Sequence, residues 1–320
     1  MSSLELSEFY ALGVILPNIE SHEQASSTLY QSGFSGALSL SFNEHSSLYL
    51  LDQFFQNHCF FTGVLPILNK KDQFNSLDSI RNLKSIFHNN FRKPPTDHLL
   101  YQAFLKVKEK NLVYFSFPDN KDFSPQGEIN EGQVSFELGL RGISTLNEEL
   151  VVAKEIELAR KTGAKLHFVQ ISTMRSIEMI AAAKKSGVNV TAGVGIGHLL
   201  FDETSLVDFN HNYKFLPPLR SQEDKNALIQ AVNESIIDVA TIGLYPSDPW
   251  HSNFSEAPFT SLEIQQIPKL IVQKLIEPGL IKIEKINEIL SINPRKILGL
   301  EKSTNKMTIN KNSYQIERNQ

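Results

Sequence analysis

A single cysteine, Cys59, in 320 residues excludes an intramolecular disulfide and a zinc site built on thiolates. Its setting, Asn57-His58-Cys59-Phe60-Phe61, reads as a buried or half-buried thiol. There is no run of about 18 apolar residues, so no membrane-spanning helix is expected. The N-terminus, Met1-Ser2-Ser3-Leu4-Glu5, lacks the charged-then-apolar order of a secretion signal, and a cytoplasmic location is the expectation. Basic clusters are scarce too: the densest is Lys70-Lys71, and the formal net charge is −4. A nucleic-acid partner, which needs a basic stripe, is not expected. No glycine-rich turn follows the first apolar run, where Pro17-Asn18-Ile19-Glu20 stands instead, which argues against an open dinucleotide-binding sheet.

What is present alternates. Short apolar runs at Phe9–Leu16, Gly36–Phe42, Phe60–Leu68, Leu83–Phe87, Leu112–Phe117, Lys165–Ile171, Asn189–Ile196 and Val239–Leu244 are separated by longer helical patterns. Runs without polar alternation suit strands covered on both faces, as in a parallel sheet wrapped by helices. Eight of them predict a (β/α)₈ TIM barrel over residues 1–300. The helices between them carry start and stop signals. Thr145-Leu146-Asn147-Glu148 reads as a capping box, with Leu146, Leu150, Ala153 and Ile156 as the inward stripe and Gly163 as the stop. A second helix begins near Thr173, with Ile177, Ile180 and Ala181 inward and Gly187 at its end. A third begins at Ser221 with Asp224 three residues on, and Asp97–Asn111 and Ser21–Gly33 fill two further slots. Glu301–Gln320 reads as a loosely ordered polar tail.

In a barrel the reacting groups stand at the C-terminal strand ends and in the loops after them. Those ends read Leu16-Pro17-Asn18, Phe42-Asn43-Glu44, His88-Asn89-Asn90, Phe115-Ser116-Phe117, Val169-Gln170-Ile171, Ile196-Gly197-His198 and Thr241-Ile242-Gly243. They offer amides, hydroxyls and glycine where a metal-assisted hydrolase places several His and carboxylates.

Several motifs resemble the dihydroorotases of the amidohydrolase superfamily. They include Asn130-Glu131-Gly132, Leu140-Arg141-Gly142-Ile143, Ile171-Ser172-Thr173, Pro217-Pro218-Leu219-Arg220, Glu256-Ala257-Pro258-Phe259 and Asn293-Pro294-Arg295-Lys296-Ile297-Leu298-Gly299-Leu300. The resemblance runs from about Leu12 to Leu300, and the family's small accessory β-sandwich is expected to be missing. Active members hold one or two divalent metals. Their ligand pattern, laid on this chain, falls on Gly13, Ile15, Asn89, Ser116, Gln170 and Ile242, none of which is a metal ligand of the family's kind. By the same resemblance the Arg that pairs with the substrate carboxylate is Pro17, while Asn43 is retained. His198, Arg220 and His251 complete the candidate pocket residues.

The resemblance therefore implies a non-catalytic relative without zinc or other cofactor. It would be a pseudoenzyme acting as a structural subunit for aspartate carbamoyltransferase in pyrimidine biosynthesis, in a homo- or hetero-oligomer. One alternative is a metal-independent enzyme or small-molecule-binding protein, its mouth lined by Ile15, Phe42, Phe115, Phe117, Leu216 and Ile242. Another is an active cyclic-amide hydrolase with relocated ligands. Three local patterns bear on these: Ser116 with His198 or His251 as a nucleophile pair, Gly193-Val194-Gly195-Ile196-Gly197 as a phosphate loop, and Asp248 with His251 as a relocated proton relay.

Overall fold

The computed structural model describes residues 3–14, 26–39, 60–63, 65–66, 85–88, 95–243 and 253–319. The chain opens with β1 (Ser3–Ser7). Each of the eight apolar runs then yields a strand. They are β2 (Phe9–Val14), β3 (Phe34–Ser39), the pieces β4 (Phe60–Gly63) and β5 (Leu65–Pro66), β6 (Ser85–His88) and β7 (Val113–Ser116). After the short pair β8 (Ile129–Asn130) and β9 (Gly142–Ile143) come β10 (Lys165–Phe168), β11 (Val190–Gly195) and β12 (Val239–Thr241). The order β2-β3-β4 forms one sheet and β12-β11-β10-β7-β6-β5 another, and every pairing in both is parallel. β12 lies beside β2, so the two ends of the strand series meet.

Four long helices cover the later strands: α1 (Asp97–Glu109), α2 (Leu146–Thr162), α3 (Met174–Lys185) and α4 (Gln222–Asn233). The hydroxyls of Thr96, Thr173 and Ser221 accept backbone N–H bonds from Leu99, Ser176 and Asp224, satisfying donors the helix cannot. Gly163 ends α2 at φ +69°, the left-handed conformation expected of it. No helix among the described residues is long and apolar enough to cross a membrane.

β7 buries two faces, which is why it reads as an unbroken apolar run. Along β7, Tyr114 packs outward with Phe104 of α1 and Ile156 of α2, while Val113, Phe115 and Phe117 pack inward with Tyr10, Leu12 and Leu38. Phe115 and Phe117 are fully buried, so they fill the interior rather than line an open pocket.

Four expectations fail here. α2 is rotated from the expected stripe: Ile156 is buried as expected, but Leu146 and Leu150 are 42% and 46% exposed, while Val151, Val152, Glu155 and Ala159 are buried. Thr145 makes no side-chain cap bond and Glu148 reaches away from its own helix, so the capping box does not form. The buried donors of Glu148, Ser172 and Thr173, are invisible in the local pattern and decide the rotation. The residues after Leu300 are also not a loose tail. They form β13 (Lys306–Asn310) and β14 (Ile316–Asn319), which build an antiparallel sheet with β1, in the order β1-β13-β14. Met307 and Ile309 are fully buried, and Met307 packs against Gly33. An accessory sheet made from both chain ends is thus present, where none was expected.

Arg295 of the Asn293–Leu300 motif ties this sheet to the strands. Its Nη1 donates to Glu8 O at 3.1 Å and Ser291 Oγ at 2.9 Å, Nη2 donates to Ser35 Oγ, and the guanidinium stands over the Tyr10 ring. Removing it strands several buried acceptors. Arg295→Ala is expected to lower unfolding free energy by about 2–4 kcal/mol in denaturant titration, and a loss under about 0.5 kcal/mol would contradict the strut role.

Candidate active site at the strand ends

Gly13 lies in β2 near its C-terminal end, and Ile15, Asn43, Asn89 and His251 lie outside the described residues, as do Pro17, Phe42, Asp248 and Lys70-Lys71. The structure brings Gln170, His198 and Ile242 together, where they line one small cavity with Gly195, Phe215, Leu216, Thr260 and Ser261. The loop after β10 delivers Gln170, the short helix Ile196–Leu200 delivers His198, and Ile242 follows β12 directly.

His198 is held from both sides. Its Nε2 lies 2.9 Å from the Pro217 carbonyl, and its Nδ1 lies 3.3 Å from Gln170 Nε2. Burial holds its pKa down to about 4, so the ring is neutral at physiological pH. Gln170 Oε1 and Thr241 Oγ1 are buried without a hydrogen-bond partner. Thr241 pairs in register with Gly195, the glycine over which the Gln170 side chain passes.

The glycine string has a steric cause rather than a phosphate-binding one. A Cβ on Gly195 would stand 2.2 Å from Gln170 Nε2, and one on Gly197 would stand 2.2 Å from the Phe215 ring. The helix that follows is five residues long. These positions admit only glycine because neighbouring side chains cross the backbone closely.

Arg220 stands outside the cavity. Its Nε donates to Ser172 Oγ at 3.1 Å, and Nη1 donates to Asn130 Oδ1 at 2.7 Å and Ile143 O at 2.8 Å. Asn130 donates onward to Glu203 at 2.6 Å. The Glu148 carboxylate accepts from the backbone and hydroxyl groups of both Ser172 and Thr173. Burial lowers the Arg220 pKa, while the Glu148 charge opposes that shift. The candidate pocket arginine is therefore a strut that joins three family motifs. Lys214, which nothing in its neighbouring sequence marks, plays a similar part: its ammonium donates to Phe254 O and Ala257 O at 2.8 Å and holds the Glu256–Phe259 segment.

Ser116 is not at the mouth. It follows Tyr114 on the outward face of β7 and meets Glu155 of α2, so no nucleophile pair with His198 forms. The inward neighbours are Phe115 and Phe117; the strand's two-residue period puts the hydroxyl on the other side. Burial raises the Glu155 pKa to about 7, against smaller lowering effects of Ser116 and Lys154. Tyr114, raised by its own burial and the nearby carboxyl, completes the cluster.

The donors among the described residues do not make a metal centre. Among the described residues no three His, Cys, Asp or Glu side chains lie together, and Gln170 with Ile242 offers one neutral amide oxygen in place of imidazole and carboxylate.

Comparison with solved structures finds hydantoinases whose fold, an α/β fold of the TIM-barrel type, this architecture resembles. The L-hydantoinase (dihydropyrimidinase) from Arthrobacter aurescens superposes with a TM-score of 0.77 at 15% identity, covering 95% of this chain and 76% of that one. An inactive dihydroorotase-like domain of the Chaetomium thermophilum CAD-like multifunctional protein gives 0.68 at 17% identity, covering 96% and 83%. By sequence the chain is a homologue of dihydroorotases. It is 33% identical to that of Pediococcus pentosaceus over 252 residues (75% of this chain and 58% of the relative), and 36% identical to that of Carboxydothermus hydrogenoformans over 194 residues (60% and 45%). The chain spans about half the length of the curated relatives it matches. No protein-family model matches it.

These relatives overturn the pseudoenzyme expectation and, with it, the structural-subunit role. Several are named dihydroorotase, an enzyme that hydrolyses a cyclic amide, and they point to an enzyme. The inactive domain shares only the fold at its level of identity. The expectation rested on reading substituted slots along the chain, which leaves unread any group supplied by another loop.

The buried Glu155 sets a pH dependence. Its folded pKa lies above the unfolded value, so its burial costs nothing below about pH 4.5 and destabilises progressively as pH rises toward 7. Glu155→Gln is expected to be more stable than wild type at pH 8, by up to about 3 kcal/mol, with the gain shrinking toward pH 5. A pH-independent difference between the two in thermal unfolding would contradict this placement.

Proposed function

We propose that the chain is a cyclic-amide hydrolase whose eight parallel strands close into a barrel, with the chemistry at the C-terminal strand ends. The observation that carries this reading is identity of 33–36% to proteins named dihydroorotase, spread over 60–75% of the chain. The coherent network of Arg220, Ser172, Glu148 and Asn130 supports it, because it holds the family motifs in one frame around the strand ends. Opening a cyclic amide requires a polarised carbonyl, an activated water and a proton for the departing nitrogen. The described mouth residues are neutral and suit recognition. For proton transfer we propose Asp248 and His251, a carboxyl and an imidazole three residues apart in the sequence after β12.

The purified chain is expected to open the ring of at least one of dihydroorotate, 5,6-dihydrouracil and hydantoin, followed by chromatography of the ring-opened acid. His251→Asn should lower that turnover by roughly a hundredfold or more with an unchanged melting temperature. Metal analysis and chelation of the same sample distinguish relocated ligands from metal-independent hydrolysis. No turnover on any of the three rings at micromolar protein would remove the reading.

A further inference from the structure

The hydrogen bonds around His198 admit one consistent set of proton positions. A backbone carbonyl can only accept, so the contact with Pro217 O at 2.9 Å places the imidazole proton on Nε2. The ring is neutral, which leaves Nδ1 as a bare acceptor. The 3.3 Å contact with Gln170 must then be donated by the amide Nε2. That orientation makes Oε1 the remaining hydrogen-bonding atom of Gln170, and it is unpartnered in a residue only 2% exposed. Pro217 thus sets the tautomer of His198, and His198 sets the direction of Gln170.

The cavity Gln170 lines has a volume of about 10 Å³, room for one water. Its other walls are Ile242, Leu216, the Phe215 ring and the glycines, with Thr260 and Ser261 at the side. No lysine, arginine or carboxylate faces it among the described residues. An anion brought against Oε1 would meet a lone pair and no compensating cation. A neutral donor would satisfy an acceptor that is costly to leave unpaired at this depth.

We propose that Gln170 reads the hydrogen-bond donor at the mouth: Oε1 accepts from one neutral N–H or O–H group, a water in the free protein and the ring N–H of a cyclic amide in the loaded one. His198 is a positioning residue that acts through the Gln170 amide. The cyclic-amide half rests on the function proposed above; the water and the locked amide do not. On binding, the ring N–H displaces the water and takes over its hydrogen bond, so a ring lacking that N–H loses the bond without regaining it elsewhere.

Two measurements on the full chain test this separately. Long-range ¹H–¹⁵N correlation should show His198 as the Nε2–H tautomer at neutral pH, and a high-resolution crystal structure should show one water about 2.7–3.2 Å from Gln170 Oε1. The Nδ1–H tautomer, or a dry cavity, overturns the proposal whatever the substrate. In calorimetric titration, wild type should bind hydantoin roughly tenfold more tightly than 1,3-dimethylhydantoin, and Gln170→Met should erase most of that difference. Equal affinities in wild type, or a preference that survives in Gln170→Met, overturn the cyclic-amide half. If wild type binds neither ring while the tautomer and the water are as expected, the donor-accepting oxygen stands and the cyclic-amide function falls.

Discussion

The guanidinium of Arg220 is a full charge taken out of water, and the strand-end architecture follows from the need to satisfy it. A buried charge without partners costs several kcal/mol, more than any one neutral hydrogen bond returns. Ser172, Asn130 and the Ile143 carbonyl must therefore stand where they do, and Glu148 must lie near enough to balance the charge. Each partner belongs to a different stretch: the loop after β10, β8, β9 and the first turn of α2. One buried cation thus fixes the relative positions of segments up to 90 residues apart in sequence. The helix α3 gains as well, since the carboxylate that serves Ser172 also accepts from the Thr173 N–H at its start.

Inside that frame the described part of the mouth is neutral. His198 loses its charge to burial, Gln170 is an amide, and Ile242 contributes only apolar surface. Phe115 and Phe117 fill the interior below. Neutral walls of this kind suit recognition of an uncharged ring by shape and by one donor.

The eight strands were legible because a strand buried on both faces must be apolar at every position, a signal that survives without any tertiary knowledge. The caps at Thr173 and Ser221 were legible for a local reason too, since donor and acceptor lie three residues apart. The face of α2 was not. Leu146 and Leu150 form a stripe by spacing, yet Glu148 turns inward because Ser172 and Thr173 donate to it, and Glu155, seven residues on, is buried on the same face. Ser116 lies beside Glu155 of α2, a neighbour that no local pattern announces. The sheet of β1, β13 and β14 was hidden in short alternating segments, Lys306-Met307-Thr308-Ile309 among them, whose pairing spans nearly the whole chain.

Sequence by itself determined the parallel α/β class, the strand order and the kinship with dihydroorotases, because apolar runs, caps and motifs are properties of neighbouring residues. It also determined that Gln170 and Ile242 stand at strand ends. Only the tertiary structure decided that these two meet His198 in one cavity, that Arg220 is a strut, and that Glu155 carries its proton to about pH 7. Those outcomes depend on which groups come together after folding and on how deeply they are buried. Burial, which sets both the cost of a charge and the direction of an amide, is a property of the whole packed chain.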